Sequence, residues 1–428
     1  MISDLHPRPY KLLFSGRRWQ MRLVFWGGAL AVGVIGVLFA AAATQAARLF
    51  HLLMIRPWVP LLVTPLGFML SAWVAMRFFP GSQGSGIPQA IAARSLEPEA
   101  RSRLLSLRQA FGKILLTLFG LAFGASIGRE GPTVQVGAAI MLASGRLGGM
   151  GRARGLILAG SAAGVAAAFN TPLAGIVFAI EEMGRAFEQR TSGLLLIAVI
   201  LAGIASLGLV GNYSYFGSTN SMLLVTIDWV AVLVCGVLGG ALGGIFARLT
   251  LWSQARVGTW VAPQPMRRAL LVALCCGLAV ALCGMLSGGA TYGTGYEAAR
   301  AAVEGHSQPF YFAPLKFVAT MASTLSGIPG GLFAPSLAVG AGLGNIIADV
   351  LHVHAAGAIV LLGMAAYFAG VVQAPITAAV IIAEMSNATA MRLPLLLAAL
   401  IGYGVSRLFQ RESLYHALAH NFRDEPGS

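Results

Sequence analysis

The chain has 428 residues, of which 57% are hydrophobic and only 10% are charged. Soluble globular proteins keep about a quarter of their residues charged, so this composition excludes an ordinary soluble protein. The formal net charge of +14 does not indicate a nucleic-acid-binding surface either. The lysines and arginines lie between hydrophobic segments and form no single basic tail or face.

Charge-free segments recur along the chain and predict membrane-spanning helices. Most of them reach the roughly 20 residues that a helix needs to cross a hydrocarbon core. Because the longest runs can double back, we expect at least ten apolar segments. Strands of a membrane barrel would alternate polar and apolar residues. These runs do not, so the predicted class is an all-α polytopic membrane protein. The runs are residues 23–43, 58–76, 155–180, 229–247, 269–296, 317–348 and 393–406.

Basic residues concentrate before the first span and in one connection between later spans. The positive-inside rule places such clusters in the cytoplasm. We therefore expect a cytoplasmic N-terminus in a multi-pass protein of the cell inner (plasma) membrane. The first span is too long to be a cleaved signal peptide. The first cluster comprises Arg8, Lys11, Arg17, Arg18 and Arg22, and the second comprises Arg94, Arg101, Arg103, Arg108 and Lys113.

An internal repeat appears when the sequence is compared with itself at an offset of 203 positions. The matched pairs include Pro132 with Pro335, Gly137 with Gly340, Gly160 with Gly363, Pro172 with Pro375 and Glu181 with Glu384. Related halves are common in transporters, whose transport site lies near mid-membrane where broken helices meet. The pattern leaves open whether the halves run parallel or inverted. Two glutamates have no counterpart: Glu130 falls on Phe333, and Glu182 falls on Met385.

Three glycine-rich segments predict helices that begin inside the membrane. They read Gly84-Ser85-Gly86-Ile87-Pro88, Gly128-Arg129-Glu130-Gly131-Pro132 and Gly327-Ile328-Pro329-Gly330-Gly331-Leu332-Phe333-Ala334-Pro335. Proline suits a first helical turn, and glycine lets a ligand approach the backbone. Close helix packing could explain any one of these segments. Together they predict one buried, small inorganic anion held by amides at helix starts and by hydroxyls.

Glu130 is predicted to be an ionisable group at membrane depth, which makes it a functional candidate. Its only charged neighbour between Lys113 and Arg146 is Arg129. An ion pair that merely fixes a turn is the alternative, although adjacent side chains on a helix point in different directions. An ionised carboxylate beside an anion site would mimic the anion and block it. A protonated one would leave, so its titration would be coupled to anion passage.

Glu181 and Glu182 end the apolar helix that Pro172 opens. A solvated helix end, with an ion pair to Arg185, is the structural interpretation of both residues. We favour it for Glu181, because Glu384 repeats that residue in the second half. For Glu182 we favour a proton role, because a second carboxylate would give protons an entry separate from the anion path.

The remaining reactive side chains predict no metal site, no cofactor and no enzymatic activity. The four cysteines lie in apolar runs and are interpreted as core residues, while His352 and His354 are interpreted as interfacial. An intramembrane hydrolase is the alternative from another class, but no HExxH motif is present. The four cysteines are Cys235, Cys275, Cys276 and Cys283.

The three motifs together resemble those of the CLC family of chloride channels and chloride/proton exchangers, over nearly the whole chain. The resemblance implies a CLC-type fold of two inverted repeats with broken and re-entrant helices. It also implies a homodimer with one pore per subunit. We expect one transmembrane domain over residues 1–428, with halves at about 23–210 and 229–420 and short cytoplasmic tails at 1–22 and 421–428. No soluble regulatory domain is expected after His420.

The resemblance also implies roles for individual residues. The hydroxyls of Ser85 and Tyr415 would bind the central chloride, with the backbone of Gly84 and the amides of Leu332 and Phe333. Glu130 would be the external gate and proton acceptor, and Glu182 the internal proton-transfer glutamate. Amides around Arg129, Gly131 and Ala334 would form the outer site that the Glu130 carboxylate occupies.

The function expected from the residues and the resemblance is secondary active exchange of chloride for protons, with both ions as substrates. Ser85 favours chloride over fluoride, because fluoride-exporting members usually depart from this serine motif. Bromide and nitrate could accompany chloride, because amide and hydroxyl dipoles discriminate weakly among small monovalent anions. A passive, proton-gated chloride channel, with Glu130 as the gate and Glu182 merely structural, stays open as the alternative.

Overall fold

The computed structural model describes residues 16–54, 56, 58–150, 153–184, 189–211, 216, 217, 223, 226–352 and 355–423. Over these residues the chain is helical, and its β-type pairing is confined to two isolated backbone bridges. The predicted all-α class is confirmed. Four residues that entered the predictions lie outside the described ranges: Arg8, Lys11, Arg185 and His354.

The first half contains nine α-helices and one π-helical turn among the described residues. They are α1 (Gly16–Leu53), α2 (Val59–Phe78), α3 (Ile87–Ala93), α4 (Pro98–Leu104), α5 (Leu107–Ala122), α6 (Glu130–Leu147), α7 (Ala153–Phe169), α8 (Pro172–Phe178), the π-turn (Ala179–Gly184) and α9 (Gln189–Val210).

The second half continues with nine further α-helices and a short 3₁₀ turn at Thr389–Met391 among the described residues. The α-helices are α10 (Thr226–Val261), α11 (Pro265–Leu286), α12 (Tyr296–Val303), α13 (Phe312–Leu325), α14 (Phe333–Leu351), α15 (Ala356–Val372), α16 (Pro375–Met385), α17 (Arg392–Phe409) and α18 (Leu414–His420).

Eight helical stretches in the described ranges are long and apolar enough to cross a membrane. Four shorter apolar helices accompany them and include α13, α15 and α16. The centre of the molecule is formed by α6, α7, α14 and α15, and α15 is buried on every side from Gly357 to Val372. Helices such as α1, α2, α9 and α11 expose large apolar side chains instead. In a membrane, these side chains face lipid.

The internal repeat has a structural counterpart in the backbone. The residues before α6 and α14, Arg129 and Leu332, have the same dihedral angles, φ −100° and ψ −14°. Asn170 and its repeat partner Gln373 both adopt left-handed conformations, with φ 57° and 55°. Equivalent residues therefore lie in equivalent local structures in the two halves.

Matched glycines pair with one another where the halves meet. The amide of Gly128 donates to the carbonyl of Gly331, and the amide of Gly331 donates to the carbonyl of Gly128, both at 2.7 Å. These two residues are equivalent in the repeat, and their bridge is antiparallel. A local two-fold axis therefore passes between them.

The same axis exchanges two glutamates between the halves. The carboxylate of Glu181 accepts hydrogen bonds from the amides of Ile376 (3.1 Å) and Thr377 (2.6 Å) at the start of α16. The carboxylate of Glu384 accepts them from Leu173 (3.2 Å) and Ala174 (2.7 Å) at the start of α8. Glu181 therefore has a structural contact, but that contact is an N-terminal helix cap in the other half instead of a solvated helix end.

Lys113 was wrongly assigned to the basic connection. It lies inside α5 with no exposed surface, and its Nζ donates to the carbonyl of Gly84 at 2.9 Å. Its repeat partner Lys316 is also fully buried and donates to the carbonyls of Thr291 (2.9 Å) and Gly293 (2.8 Å). Each lysine therefore satisfies carbonyls of a glycine-rich turn that precedes a short helix.

Candidate functional site

The three glycine-rich segments meet at one place, as predicted from their common pattern. The backbone of Gly84 pairs with the third segment: its amide donates to Ile328 O at 3.2 Å, and its carbonyl accepts from Gly330 N at 3.0 Å. On the other side, Gly331 pairs with Gly128. The third segment therefore lies between the first and the second and joins them by backbone hydrogen bonds.

Four helices begin around this junction. They are α3 after Gly86, α6 after Arg129, α14 after Leu332 and α18 after Ser413. Gly86 adopts φ 100°, and a Cβ atom there would lie 2.8 Å from Gly131 O. Only glycine fits both the conformation and this close approach.

The first backbone amides of α6 and α14 donate no hydrogen bond to a carbonyl of their own helix. The earliest intrahelical bonds run from Thr133 N to Arg129 O and from Ser336 N to Leu332 O, both at 3.0 Å. Amides that precede them, including those of Phe333 and Ala334, have no carbonyl one turn earlier to bind. With the helix dipoles, such amides favour an anion. Helix α6 begins at Glu130, so Pro132 lies in its first turn, where proline was expected.

Two buried hydroxyls lie at the same place. Ser85 is 6% exposed, and its Oγ lies against the backbone of Gly131. Tyr415 has no exposed surface, and its hydroxyl approaches that of Ser85. Neither hydroxyl forms a well-aligned hydrogen bond with any described residue. Buried hydroxyls normally have a partner, so both have capacity to bind a ligand.

Phe333 fixes the position of Tyr415 and of the start of α14. Its ring is 5.9 Å from Tyr415 and packs edge-on against Phe368 at 4.7 Å and Phe178 at 5.9 Å. It also stacks with Phe169 at 6.0 Å. Aromatic packing of this kind restricts side-chain motion beside the hydroxyl pair.

Glu130 is completely buried where α6 and α14 begin. One carboxylate oxygen lies over the Cα atom of Gly128, within the space that a Cβ atom would occupy. The amides of Arg129, Glu130 and Ala334 face the carboxylate, although neither carboxylate oxygen forms a well-aligned hydrogen bond with any described residue. Two of these, Arg129 and Ala334, belong to the positions predicted for an outer anion site.

Arg129 holds the second segment against α1. Its Nη1 donates to the carbonyl of Ala40 in the middle of that helix. Arg129 also lines a cavity of about 620 Å³ formed by the second part of α1, the end of α9 and residues 289–298. Leu121, near the end of α5, lines the same cavity.

Glu182 lies in the π-turn, 3% exposed, and contacts the start of α18. Ser413 Oγ donates to Glu182 Oε1 at 3.0 Å. His416 Nε2 donates to the Glu182 carbonyl at 3.0 Å and lies 3.9 Å from Oε1. The sequence predicted a proton role for Glu182 but indicated no contact with Ser413 or His416. Both residues lie far from Glu182 in sequence, although they flank Tyr415 in a short, polar segment.

The histidines and cysteines form no potential metal-binding group within the described ranges. His352 is exposed at the end of α14, with φ 51°, and its Nδ1 lies 3.1 Å from Val350 O. Cys235 and Cys283 are buried, Cys276 is partly buried, and Cys275 is exposed.

Known proteins resemble this chain in sequence and in structure. The family model described as voltage gated chloride channel matches residues 66–407. A protein named H(+)/Cl(-) exchange transporter ClcA, from Yersinia pestis bv. Antiqua (strain Angola), is 32% identical over 91% of this chain and 85% of its own length. A protein of the same name from Salmonella typhimurium is 31% identical over 90% of this chain and 85% of its own length.

Solved structures show the same fold. A slow cyanobacterial Cl⁻/H⁺ antiporter superposes with a TM-score of 0.82 and 24% identity, over 99% of both chains. A CLC-type fluoride/proton antiporter superposes with a TM-score of 0.78 and 24% identity, over 93% of this chain and 97% of its own. The fold is thus the CLC type, with two inverted repeats and broken and re-entrant helices. The chain belongs to the voltage gated chloride channel family, the CLC family that its three glycine-rich motifs indicated.

Proposed function

We propose that this protein is a secondary active antiporter that exchanges chloride for protons across a membrane. The observation that carries the proposal is the buried carboxylate of Glu130 at the meeting point of two helix N-termini. There, an anion and the side chain compete for the same amides. The relatives named H(+)/Cl(-) exchange transporter support this activity.

The central chloride binds between the hydroxyls of Ser85 and Tyr415 and the amides of Leu332 and Phe333. Both hydroxyls are buried and have donor capacity, which supports this assignment. The backbone of Gly84 completes the inner wall through its pairing with residues 328–330. Lys113 donates to that same glycine, so it adds a positively polarised group behind the site.

Glu130 gates the outer part of the path. Ionised, its carboxylate occupies the outer anion site beside the amides of Arg129, Gly131 and Ala334. A proton neutralises it and removes its attraction to the helix N-termini. Chloride then takes the outer site, and the protonated side chain carries its proton away from that site. Each passage of chloride is thereby coupled to titration of Glu130.

Glu182 supplies the second proton site, on the other side of the chloride. Its burial and its hydrogen bond from Ser413 hold a carboxylate near the start of α18, away from the outer anion site that Glu130 occupies. Protons therefore reach the centre by a route that chloride does not share. The alternative, a passive, proton-gated channel in which Glu182 has no transport role, is not favoured by the relatives named as exchangers.

The face that carries Glu182 is the cytoplasmic one. Arg94 donates to the carbonyl of Met183, so the basic connection lies next to Glu182. Arginine-rich connections stay in the cytoplasm. The cavity beside Arg129 lies at the far end of α5, a helix of roughly 24 Å. That cavity forms the external approach to Glu130, and the N-terminus lies in the cytoplasm of a cell with this protein in its inner (plasma) membrane.

The protein works as a homodimer with one pore per subunit, and each subunit is one transmembrane domain of two halves. Its substrates are chloride and protons. The family assignment supports this assembly, and the large apolar surfaces of α9 and α11 are available to a second copy or to lipid.

Proton movement in liposomes under an imposed chloride gradient tests the proposed function. Purified protein should drive protons uphill with chloride as the only energy source. Glu182→Gln should impair proton movement and spare passive chloride flux, because a carboxamide does not carry a proton. Chloride that dissipates without proton movement in the unmodified protein would identify a channel. Normal coupling in Glu182→Gln would contradict a proton role for that residue.

A further inference from the structure

Resting on the proposed exchange, we infer that His416 relays protons between the cytoplasm and Glu182. His416 is on the first turn of α18, one residue beyond the chloride-site Tyr415. Its side chain is 13% exposed, whereas that of Glu182 is 3% exposed. The imidazole therefore spans the short distance between solvent and a carboxylate that solvent barely reaches.

The geometry places one ring nitrogen next to two oxygens of Glu182. Because a carbonyl only accepts, the bond to Glu182 O at 3.0 Å requires a proton on His416 Nε2. The carboxylate oxygen Oε1 lies 3.9 Å from the same nitrogen. A small ring movement changes the acceptor from the carbonyl to the carboxylate.

Ser413 orients the receiving carboxylate. Serine at a helix N-cap ordinarily accepts a hydrogen bond from an amide of the first turn. Ser413 makes no such cap, and its hydroxyl donates to Glu182 Oε1 at 3.0 Å instead. One oxygen of the carboxylate is thereby fixed on the side that faces α18, within reach of His416. Ser413 is a positioning residue.

The transfer conserves protons and charge. A proton from water binds Nδ1 of the neutral Nε2–H imidazole and makes an imidazolium. The Nε2 proton then passes to the Glu182 carboxylate, which leaves a neutral ring with its proton on Nδ1 and a neutral carboxyl group. The ring regains its Nε2–H form by exchanging protons with water. Reversal of the same steps releases protons to the cytoplasm.

One charged side chain contacts the turn that carries Glu182. Arg94 donates to Met183 O, the carbonyl next to the one that His416 binds. Glu412, in the loop before α18, and His420, in the last turn of α18, pair with each other at 3.0 Å.

In the described part of the chain, the helices packed against α18 carry few ionisable side chains. Helix α3 has no ionisable side chain, and α15 has only the buried Tyr367. Helix α10 lies beside α18, and Leu251, Gln254 and Ala255 line a pocket between the two helices. Of its arginines, Arg256 stacks on Trp252 and Arg248 is exposed.

His416→Gln separates the relay from a structural role, because a glutamine amide nitrogen can still donate to the Glu182 carbonyl but cannot transfer a proton. We expect the proton flux per chloride in liposomes to fall about tenfold at about pH 8. This loss is smaller than the rate enhancement that a positioned proton-transfer group typically gives. At about pH 5 the loss should shrink to roughly twofold, because abundant protons reach Glu182 through water. Chloride binding measured by calorimetry should stay unchanged.

Two further variants complete the test. Exogenous imidazole should restore proton flux in His416→Ala, and His420→Gln, an exposed histidine on the same helix, should match the unmodified protein. A proton flux per chloride of His416→Gln that equalled that of the unmodified protein at every pH would overturn the relay. So would an equal loss at all pH values that imidazole does not relieve, since that pattern is structural. Absence of proton transport in the unmodified protein would instead refute the exchange function itself.

Discussion

Gly128→Ala tests the seat of the Glu130 carboxylate, by which we mean the proposed outer anion site beside the amides of Arg129, Gly131 and Ala334. A methyl group on Gly128 would overlap Glu130 Oε2, while Ala334 Cβ and Pro335 Cδ lie at 3.4 and 3.3 Å on the other sides. The φ angle of Gly128 is not in the left-handed region. Alanine can therefore adopt this backbone conformation, and the carboxylate is the group that must move.

The size of the effect follows from the attraction between the carboxylate and the amides that face it. A hydrogen bond from an amide to an ionised group contributes about 1.5–3 kcal/mol. Loss of one such contact, about 2 kcal/mol, lowers the occupancy of the seat roughly thirtyfold. An empty seat lets chloride pass without an exchanged proton. We therefore expect faster chloride flux and a lower ratio of protons to chloride in liposomes.

Gly331→Ala is the matched control, because Gly331 is the repeat partner of Gly128. A Cβ atom there would meet Gly131 N and Pro132 Cδ, both at 3.0 Å, and no carboxylate. This variant crowds the Gly131 amide but leaves the carboxylate in place, so it should lower the coupling ratio less than Gly128→Ala does. An unmodified ratio in Gly128→Ala, or an equal fall in both variants, would refute the reasoning.

Three other substitutions test separate parts of the molecule. Glu130→Gln should abolish proton coupling while anions still move, and uphill proton transport by this variant in liposomes would contradict the gate. Tyr415→Phe keeps the packing on Phe333 but removes the hydroxyl, so chloride affinity should fall about tenfold. Unchanged affinity by calorimetry would remove Tyr415 from the site. Glu384→Gln should lower the free energy of unfolding by about 1–2 kcal/mol, because a neutral amide oxygen replaces a carboxylate at the start of α8. Thermal unfolding in detergent measures this, and an unchanged Tm would show that the cap contributes nothing.

The fold and the junction of its broken helices could be predicted because both depend on local patterns. Apolar runs indicate spans, and glycine with proline marks where a helix can begin. The offset of 203 positions then brought the first and second halves into register. The same offset also matches Lys113 with Lys316, yet Lys113 was misassigned, because four arginines precede it along the chain. Burial of a lysine depends on tertiary carbonyls that its neighbours in sequence do not reveal.

The contacts of Glu181 and Glu182 could not be predicted from local pattern. Ser413 and His416 reach Glu182 across more than half of the chain, and their own segment offers only the ordinary signs of a helix start. Glu181 was interpreted as a solvated helix end, whereas its carboxylate accepts hydrogen bonds from Ile376 and Thr377 and so joins the two halves. Such contacts follow from the packing of the repeat, which the sequence alone does not orient.

The exchanged glutamate caps have a consequence for how a chain of this design can arise. Each half completes a helix of the other with the same residue, which is the geometry of an isologous interface between identical subunits. A half-length ancestor with this glutamate would have capped its partner and been capped in return. Duplication and fusion would then have preserved a working interface from the first covalent link. Only afterwards could the halves diverge, so that one has Glu130 where the other has Phe333.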